Sequence, residues 1–256
     1  MEGPSNTQWQ PQLHGQVAVV TGGAQGIGLR IAEALAEHGA TVIIGDLQTA
    51  KVAAVCRSLK RRGLAARGGF LDVSRPSQVV AFMDRTRLEF GRIDILINNA
   101  GIDAPAGVAW AEPDDHWRKI VDVDLSGSWW CTKAVLPTMI NANRGRIVFI
   151  SSAAARRGSM EISVAYNAAK AGLIGLTVGL ATQVERHHVL VNAVAAGPTG
   201  VSGNPTLEER EDPHHVFPLG MGGTDPVANA CLYLVGPGGD WISGTVMNVS
   251  GGVLKG

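Results

Sequence analysis

A chain of 256 residues with 45% hydrophobic side chains is long enough to bury a full core and has a size common for one α/β unit. Its 22 basic and 22 acidic residues cancel, which argues against a large electrostatic commitment to nucleic acid or an anionic membrane surface. Three cysteines, Cys56, Cys131 and Cys231, are odd in number, widely spaced and outside any motif, and so fit a reducing cytosol better than a disulfide scaffold.

Met1 to Gln12, rich in Pro, Gln and Asn, reads as a mobile extension; lacking a charged-then-apolar pattern, it is neither a signal peptide nor a membrane anchor. From Leu13 to Gly256, short Val/Ile-rich runs alternate with longer Ala/Leu-rich segments. That pattern predicts a Rossmann-type, doubly wound α/β fold: a parallel sheet with helices on both faces, in a single domain without internal repeat or interior linker. Gln16 to Val20 is the first strand, and it runs into Thr21-Gly22-Gly23-Ala24-Gln25-Gly26-Ile27-Gly28. Ile31, Ala34 and Leu35 then recur at helical spacing. A glycine-rich turn between strand and helix lets backbone N–H groups and the helix N-terminus approach a pyrophosphate without side-chain obstruction. The spacing of Gly22, Gly26 and Gly28 is not G-x-G-x-x-G, so a dinucleotide site is inferred from context and not from that fingerprint.

The second strand, Ala40 to Gly45, ends at Asp46, roughly 20 residues beyond Gly26, where an acid holds an adenosine ribose. A carboxylate there accepts hydrogen bonds from both ribose hydroxyls and repels a 2′-phosphate, so NAD is expected in preference to NADP. Leu47 follows, and Ala24 and Gln25 fill the glycine turn, so no Arg or Lys stands at these positions to attract a phosphate. Lys60-Arg61-Arg62 closes a helix, where its charge suits the dipole. Asn98-Asn99-Ala100-Gly101 is a turn after the strand Ile93 to Ile97. Val121 to Ile140, with Trp129, Trp130 and Cys131, reads as an apolar core helix.

After the strand Arg146 to Ile150, Arg156 and Arg157 read as solvated loop residues and Ser163 as a helix cap. In Ala165-Tyr166-Asn167-Ala168-Ala169-Lys170, the phenol and the ammonium stand four residues apart on one helix face. A nearby positive charge favours phenolate over phenol, so the pair makes a general base. The pairs His187-His188 and His214-His215 are adjacent and not at ligand spacing; they read as a helix terminus and a solvated loop, and no metal site is expected. Gly203 to Met221, rich in Pro, Glu, His and Gly, reads as a mobile flap over the site. Trp110, Met160 and Phe217 read as core residues, with walls of the cleft as the alternative.

With the glycine turn, Asp46, Tyr166 and Lys170 in place, the chain closely resembles the short-chain dehydrogenase/reductase family from about Leu13 to Gly252. Matching stretches are Thr21 to Gly28, Asp72-Val73, Asn98 to Gly101, Ser151-Ser152, Tyr166 to Lys170 and Val191-Asn192-Ala193-Val194. The resemblance implies that Asp72 and Val73 contact adenine and that Asn99, Ala100 and Gly101 pass beneath the adenosine side of the cofactor. It also assigns Gly22, Gln25, Gly26, Ile27, Gly28, Asp46, Leu47, Gly197 and Thr199 to cofactor binding. Tyr166 then exchanges a proton with the substrate oxygen while a hydride moves between the substrate carbon and nicotinamide. Lys170 holds the nicotinamide ribose and stabilises the phenolate, and Ser152, with Ser151 as runner-up, orients the same substrate oxygen. A homo-oligomer, most often a tetramer, is implied, as is a cytoplasmic setting.

Several positions depart from the family. Asp124 stands where an Asn most often holds a water that joins the Lys to a proton relay; a carboxylate accepts but cannot donate, and it is expected to draw Lys170 into an ion pair and slow proton exchange. Ala196-Gly197 replaces a usual Pro-Gly, Val201 stands where a Thr often meets the nicotinamide carboxamide, and Met221 and Ser250 replace an Arg and an Asp. The function expected is an NAD(H)-dependent oxidoreductase for a secondary alcohol or ketone. The alternatives are a dinucleotide-binding sensor or scaffold with lost turnover and, among substrates, a 3-oxoacyl thioester.

Overall fold

The computed structural model describes residues 12–102, 108–158, 162–200 and 218–255. Expectations for residues 1–11, Met160, Val201, His214-His215, Phe217 and most of the flap lie outside these. The described strands are β1 (Val17–Thr21), β2 (Thr41–Asp46), β3 (Ala66–Phe70), β4 (Ile95–Asn98), β5 (Gly145–Ser152), β6 (Val189–Ala196) and β7 (Val246–Val249). They form one parallel sheet in the order β3-β2-β1-β4-β5-β6-β7. The helices are α1 (Gly26–Glu37), α2 (Thr49–Arg61), α3 (Pro76–Phe90), α4 (Asp114–Ile120), α5 (Gly127–Asn141), α6 (Val164–Val184) and α7 (Asp225–Val235).

Successive side chains along a strand face opposite sides, and the two sides build separate cores. Ala18, Val20, Val42, Ile44, Ile97 and Val148 pack with α1, α2 and α7, whereas Val17, Val19, Ile43, Leu96, Ile147 and Phe149 pack with α3, α5 and α6. With both faces covered, the central strands are continuous Val/Ile runs without polar alternation. The strand order reverses between β1 and β4, so the loops leaving their carboxyl ends diverge and open a crevice there.

Two departures from the sequence reading matter for the site. The stretch Val121 to Ile140 is not one regular core helix: Val121–Ser126 is a π turn joining α4 to α5, and it buries Asp124 completely. A π turn advances the helical phase and re-aims side chains, which is how a carboxylate comes to face the interior. Trp110, read as core, is 89% exposed, because it sits on a single 3-10 turn, Ala109–Ala111, that has no second face to bury. Arg156 and Arg157 are exposed, and His187-His188 ends the helical segment after α6, both as expected.

Cys131 on α5 and Cys231 on α7 are fully buried free thiols, and burial pushes both up to about 12. A thiol whose folded value lies above its unfolded one, about 8.5, favours folding below that lower value and loses its contribution as pH climbs towards the folded value. Folding stability should therefore fall between about pH 9 and pH 12 by roughly 1 kcal/mol per thiol per pH unit. Denaturant unfolding across this range checks it; a Cys131→Ala/Cys231→Ala protein with an equally steep decline would show that these thiols are not the cause.

Candidate active site

β1 leads into the glycine turn at the carboxyl edge of the sheet. Gly22 has φ +64 and a Cβ there would stand 2.8 Å from Ala100 Cα, so the turn needs a residue without a side chain. At Gly28 a Cβ would collide with the Gly22 carbonyl oxygen and the Asn99 amide. Asn99 pins this packing by donating from Nδ2 to the carbonyls of Thr21 and Gly22, 3.0 Å each, while Thr21 Oγ1 accepts from the N–H groups of Asn99 and Ala100. Gln25 is the N-cap of α1 but its side chain makes no capping bond, so the first N–H groups of the helix face the crevice without a side-chain acceptor. Backbone donors, a helix N-terminus and a floor cleared by glycine together fit a pyrophosphate.

At the end of β2, Asp46 is buried, accepting from Ala24 N at 3.1 Å and Gln48 N at 2.9 Å. Two backbone donors leave further acceptor capacity on each carboxylate oxygen. Between these points runs a cleft of about 1160 Å³, lined by Gly22, Gln25, Gly26, Ile27, Gly28, Asp46, Leu47, Asp72, Val73, Asn99, Ala100, Gly101 and Thr199 among others. Gly197 does not line it: its Cα packs against Ser250, where a Cβ would stand 2.6 Å from Ser250 Cα.

Beyond the Gly101 end of the cleft, the acid–base candidates come together. Lys170 Nζ lies 5.3 Å from the centre of the Tyr166 ring and donates to the Ile150 carbonyl at 3.2 Å. Asp124 Oδ2 is 3.2 Å from the same ammonium, with the side chains 0% and 6% exposed, and Asp124 Oδ1 accepts from Ile102 N at 2.8 Å. The expected ion pair is therefore present and deeply buried. A Cβ on Gly101 would stand 2.9 Å from Asp124 Oδ2 and 3.1 Å from Lys170 Nζ, so this glycine is what lets the cleft floor meet the pair. Tyr166 is half-buried against a small cluster of Ile120, Ala165 and Ala169, which Ile102 and Leu125 also cover. The two serines separate cleanly. Ser151 is buried and donates from Oγ to the Lys170 carbonyl at 2.8 Å, which ties β5 to α6, whereas Ser152 is half-exposed and its Oγ accepts from Ala154 N at 3.1 Å.

The structure adds residues that spacing alone does not bring forward. Lys51, one turn into α2, donates to Gln25 Oε1 at 2.6 Å and so sets a cation beside the glycine turn. Arg75, Arg118 and Lys119 line the outer wall of the cleft. The Arg118 partners Asp114 and Asp115 follow the i, i+4 and i, i+3 pattern of an ordinary solvated helix face, which hides the role of this wall. The Ser163 cap is as expected, accepting from Ala165 N at 3.1 Å. Among the described residues no cluster of His, Cys, Asp and Glu has metal-binding geometry.

Comparison with known proteins agrees with this geometry. The family model described as short chain dehydrogenase matches residues 16–212. The cis-4-hydroxycyclohexanecarboxylate dehydrogenase of Sinomonas cyclohexanicum is 36% identical over 93% of this chain and 96% of its own. The 3-oxoacyl-[acyl-carrier-protein] reductase FabG of Escherichia coli is 34% identical over 94% of this chain and 98% of its own. The crystal structure of gox2181 superposes with a TM-score of 0.88 at 32% identity, covering 94% of this chain and 96% of that one. With a family model matching most of the chain, a matching sheet and relatives aligned over nearly their whole length, this chain belongs to the short-chain dehydrogenase/reductase family of oxidoreductases.

Proposed function

We propose that the protein is an NAD(H)-dependent oxidoreductase that interconverts a secondary alcohol and its ketone, with Tyr166 as the acid–base group. The observation that carries this reading is the stacking of the Lys170 ammonium against the Tyr166 ring, next to Gly101 at one end of a cleft that also takes in the buried carboxylate of Asp46. A bound nicotinamide supplies or accepts the hydride. Tyr166 passes a proton to or from the substrate oxygen, and Lys170 favours the phenolate and reaches towards the cleft floor at Gly101. Ser152, half-exposed at the end of β5, orients the same oxygen. Backbone donors of Gly26, Ile27 and Gly28 take the pyrophosphate, Leu47, Asp72 and Val73 flank adenine, and Thr199 borders the nicotinamide end.

Asp46 supports NAD over NADP, because a buried carboxylate repels a 2′-phosphate. Lys51 is the countervailing charge, but it is exposed and already engaged by Gln25, so screening weakens it. Turnover should favour NAD⁺ over NADP⁺ by a factor on the order of 100 in kcat/KM. The assay follows reduced nicotinamide with secondary alcohols, cyclic diols, sugars, hydroxysteroids and 3-hydroxyacyl thioesters. Equal use of the two cofactors would remove the role given to Asp46, dinucleotide binding without turnover on any substrate would favour a sensor or scaffold, and turnover confined to the thioesters would select the alternative substrate class that the FabG relative suggests. Small-molecule alcohols or ketones are the substrates in this reading, and the three free thiols suit a cytoplasmic setting. A homo-oligomer, most often a tetramer in this family, is supported by α6: only 39% of its most apolar stretch is buried within the chain, and Gly172, Gly175 and Gly179 line an open groove against Trp129 of α5.

A further inference from the structure

We propose that Glu112 is a positioning residue for Tyr166, acting through the Ser163 cap of the helix that carries it; the proposal rests on the functional reading above. Ser163 Oγ donates to Glu112 Oε1 at 2.6 Å across 51 residues of sequence, and at the same time it accepts from Ala165 N at 3.1 Å. Ser163 is 5% exposed and the Glu112 side chain 11%. His116 Nδ1 stands 3.1 Å from the same carboxylate oxygen, one turn into α4.

The chemistry of a hydroxyl makes this contact consequential. Serine has one proton and two lone pairs. Giving the proton to Glu112 directs the lone pairs at the helix end, and a charge-assisted O–H bond makes the oxygen a stronger acceptor for Ala165 N. The cap is thereby held in one rotamer, and Tyr166 is in the first turn that this cap organises, three residues on.

The other anchor comes from the same stretch of chain. From Glu112 the chain continues through α4 into the π turn, where Asp124 grips Lys170. The extended residue just ahead of α4 and the π turn just after it therefore hold α6 at two points, three residues before Tyr166 and four residues after it. With the Lys170 anchor alone, the first turn of α6 is fixed at one end only. The effect of a loose first turn falls on the alignment of the phenol with a substrate oxygen, to which proton transfer is sensitive. It does not fall on the glycine turn or Asp46, which belong to β1, α1 and β2.

The test compares Glu112→Ala, Glu112→Gln, Ser163→Ala, Ser163→Thr and the double Glu112→Ala/Ser163→Ala protein on whichever substrate the wild-type chain turns over. Glu112→Ala and Ser163→Ala should each lower kcat roughly 10-fold, with the KM for dinucleotide changed by less than about 2-fold. The double variant should fall no further than either single one, because both remove the same contact. Ser163→Thr, which keeps a hydroxyl able to cap and donate, should restore most of kcat, and the near-isosteric Glu112→Gln, which keeps an acceptor without the charge, should lie between wild type and Glu112→Ala. Wild-type kcat in Glu112→Gln and Glu112→Ala, additive losses in the double variant, or a Ser163→Thr protein as slow as Ser163→Ala would each overturn the proposal while leaving the functional reading intact. A wild-type protein without turnover on any substrate would instead sink that reading and, with it, a catalytic role for the contact.

Discussion

Replacing Tyr166 by Phe is expected to reduce turnover by a factor of about 100 to 10,000 while leaving dinucleotide affinity within a factor of about 2. The phenylalanine ring keeps the packing against the cluster of Ile120, Ala165 and Ala169 and keeps an aromatic face for the Lys170 ammonium, so the substitution removes the O–H and little else. This makes it a cleaner probe than any change at Lys170, whose removal would also strand the buried carboxylate of Asp124. Steady-state kcat on the preferred alcohol reports the chemical step, and quenching of tryptophan fluorescence by dinucleotide reports binding. A Phe variant that keeps more than a tenth of wild-type turnover would take the acid–base role away from Tyr166.

Much of this arrangement is legible in the chain before folding, for reasons that can be named. The strands β1, β2, β4, β5 and β6 sit under helices on both faces, so burial leaves its mark as unbroken runs such as Val17 to Val20 and Ile147 to Ile150. The edge strand β3 leaves no such mark. It reads Ala66-Arg67-Gly68-Gly69-Phe70, and its form is dictated by its neighbours, since a Cβ on Gly68 would stand 2.5 Å from both the Ile44 carbonyl oxygen and the Val52 side chain. Local composition also cannot decide between Ser151 and Ser152: alternation along β5 sends one to the Lys170 carbonyl and the other towards solvent. Lys51 beside Gln25 and Glu112 beside Ser163 are tertiary meetings across 26 and 51 residues, and neither partner belongs to a motif that points to the other. The identity of Asp124 is plain from the sequence, but its complete burial depends on the π turn, and burial is what turns a charge difference into a strong effect.

That burial sets the second large expectation. Asp124 is held through both oxygens: Oδ1 accepts from the Ile102 N–H, and Oδ2 faces the Lys170 ammonium as an ion pair at 3.2 Å. An asparagine has one acceptor end and one donor end, so in this arrangement its NH₂ must face either a backbone N–H or an ammonium. Asp124→Ala, which strips the carboxylate from a buried cation, should lower folding stability by about 3 to 5 kcal/mol, and Asp124→Asn by about 1 to 3 kcal/mol, both measured by denaturant unfolding. Among the described residues, Asp124 on the π turn and Lys170 on α6 meet here beside the Tyr166 phenol, with the Ile150 carbonyl from β5 on the ammonium and the Ile102 N–H on the carboxylate. Removing this negative charge makes the field beside Tyr166 more positive, which favours phenolate. In the Asn variant, the proton exchange that the carboxylate is expected to slow should be faster, so the pH–rate profile of alcohol oxidation should depart from that of the wild type. A pH–rate profile that coincides with the wild type would show that neither the field at Tyr166 nor its proton exchange depends on Asp124, and would leave the carboxylate as an anchor for Lys170 alone.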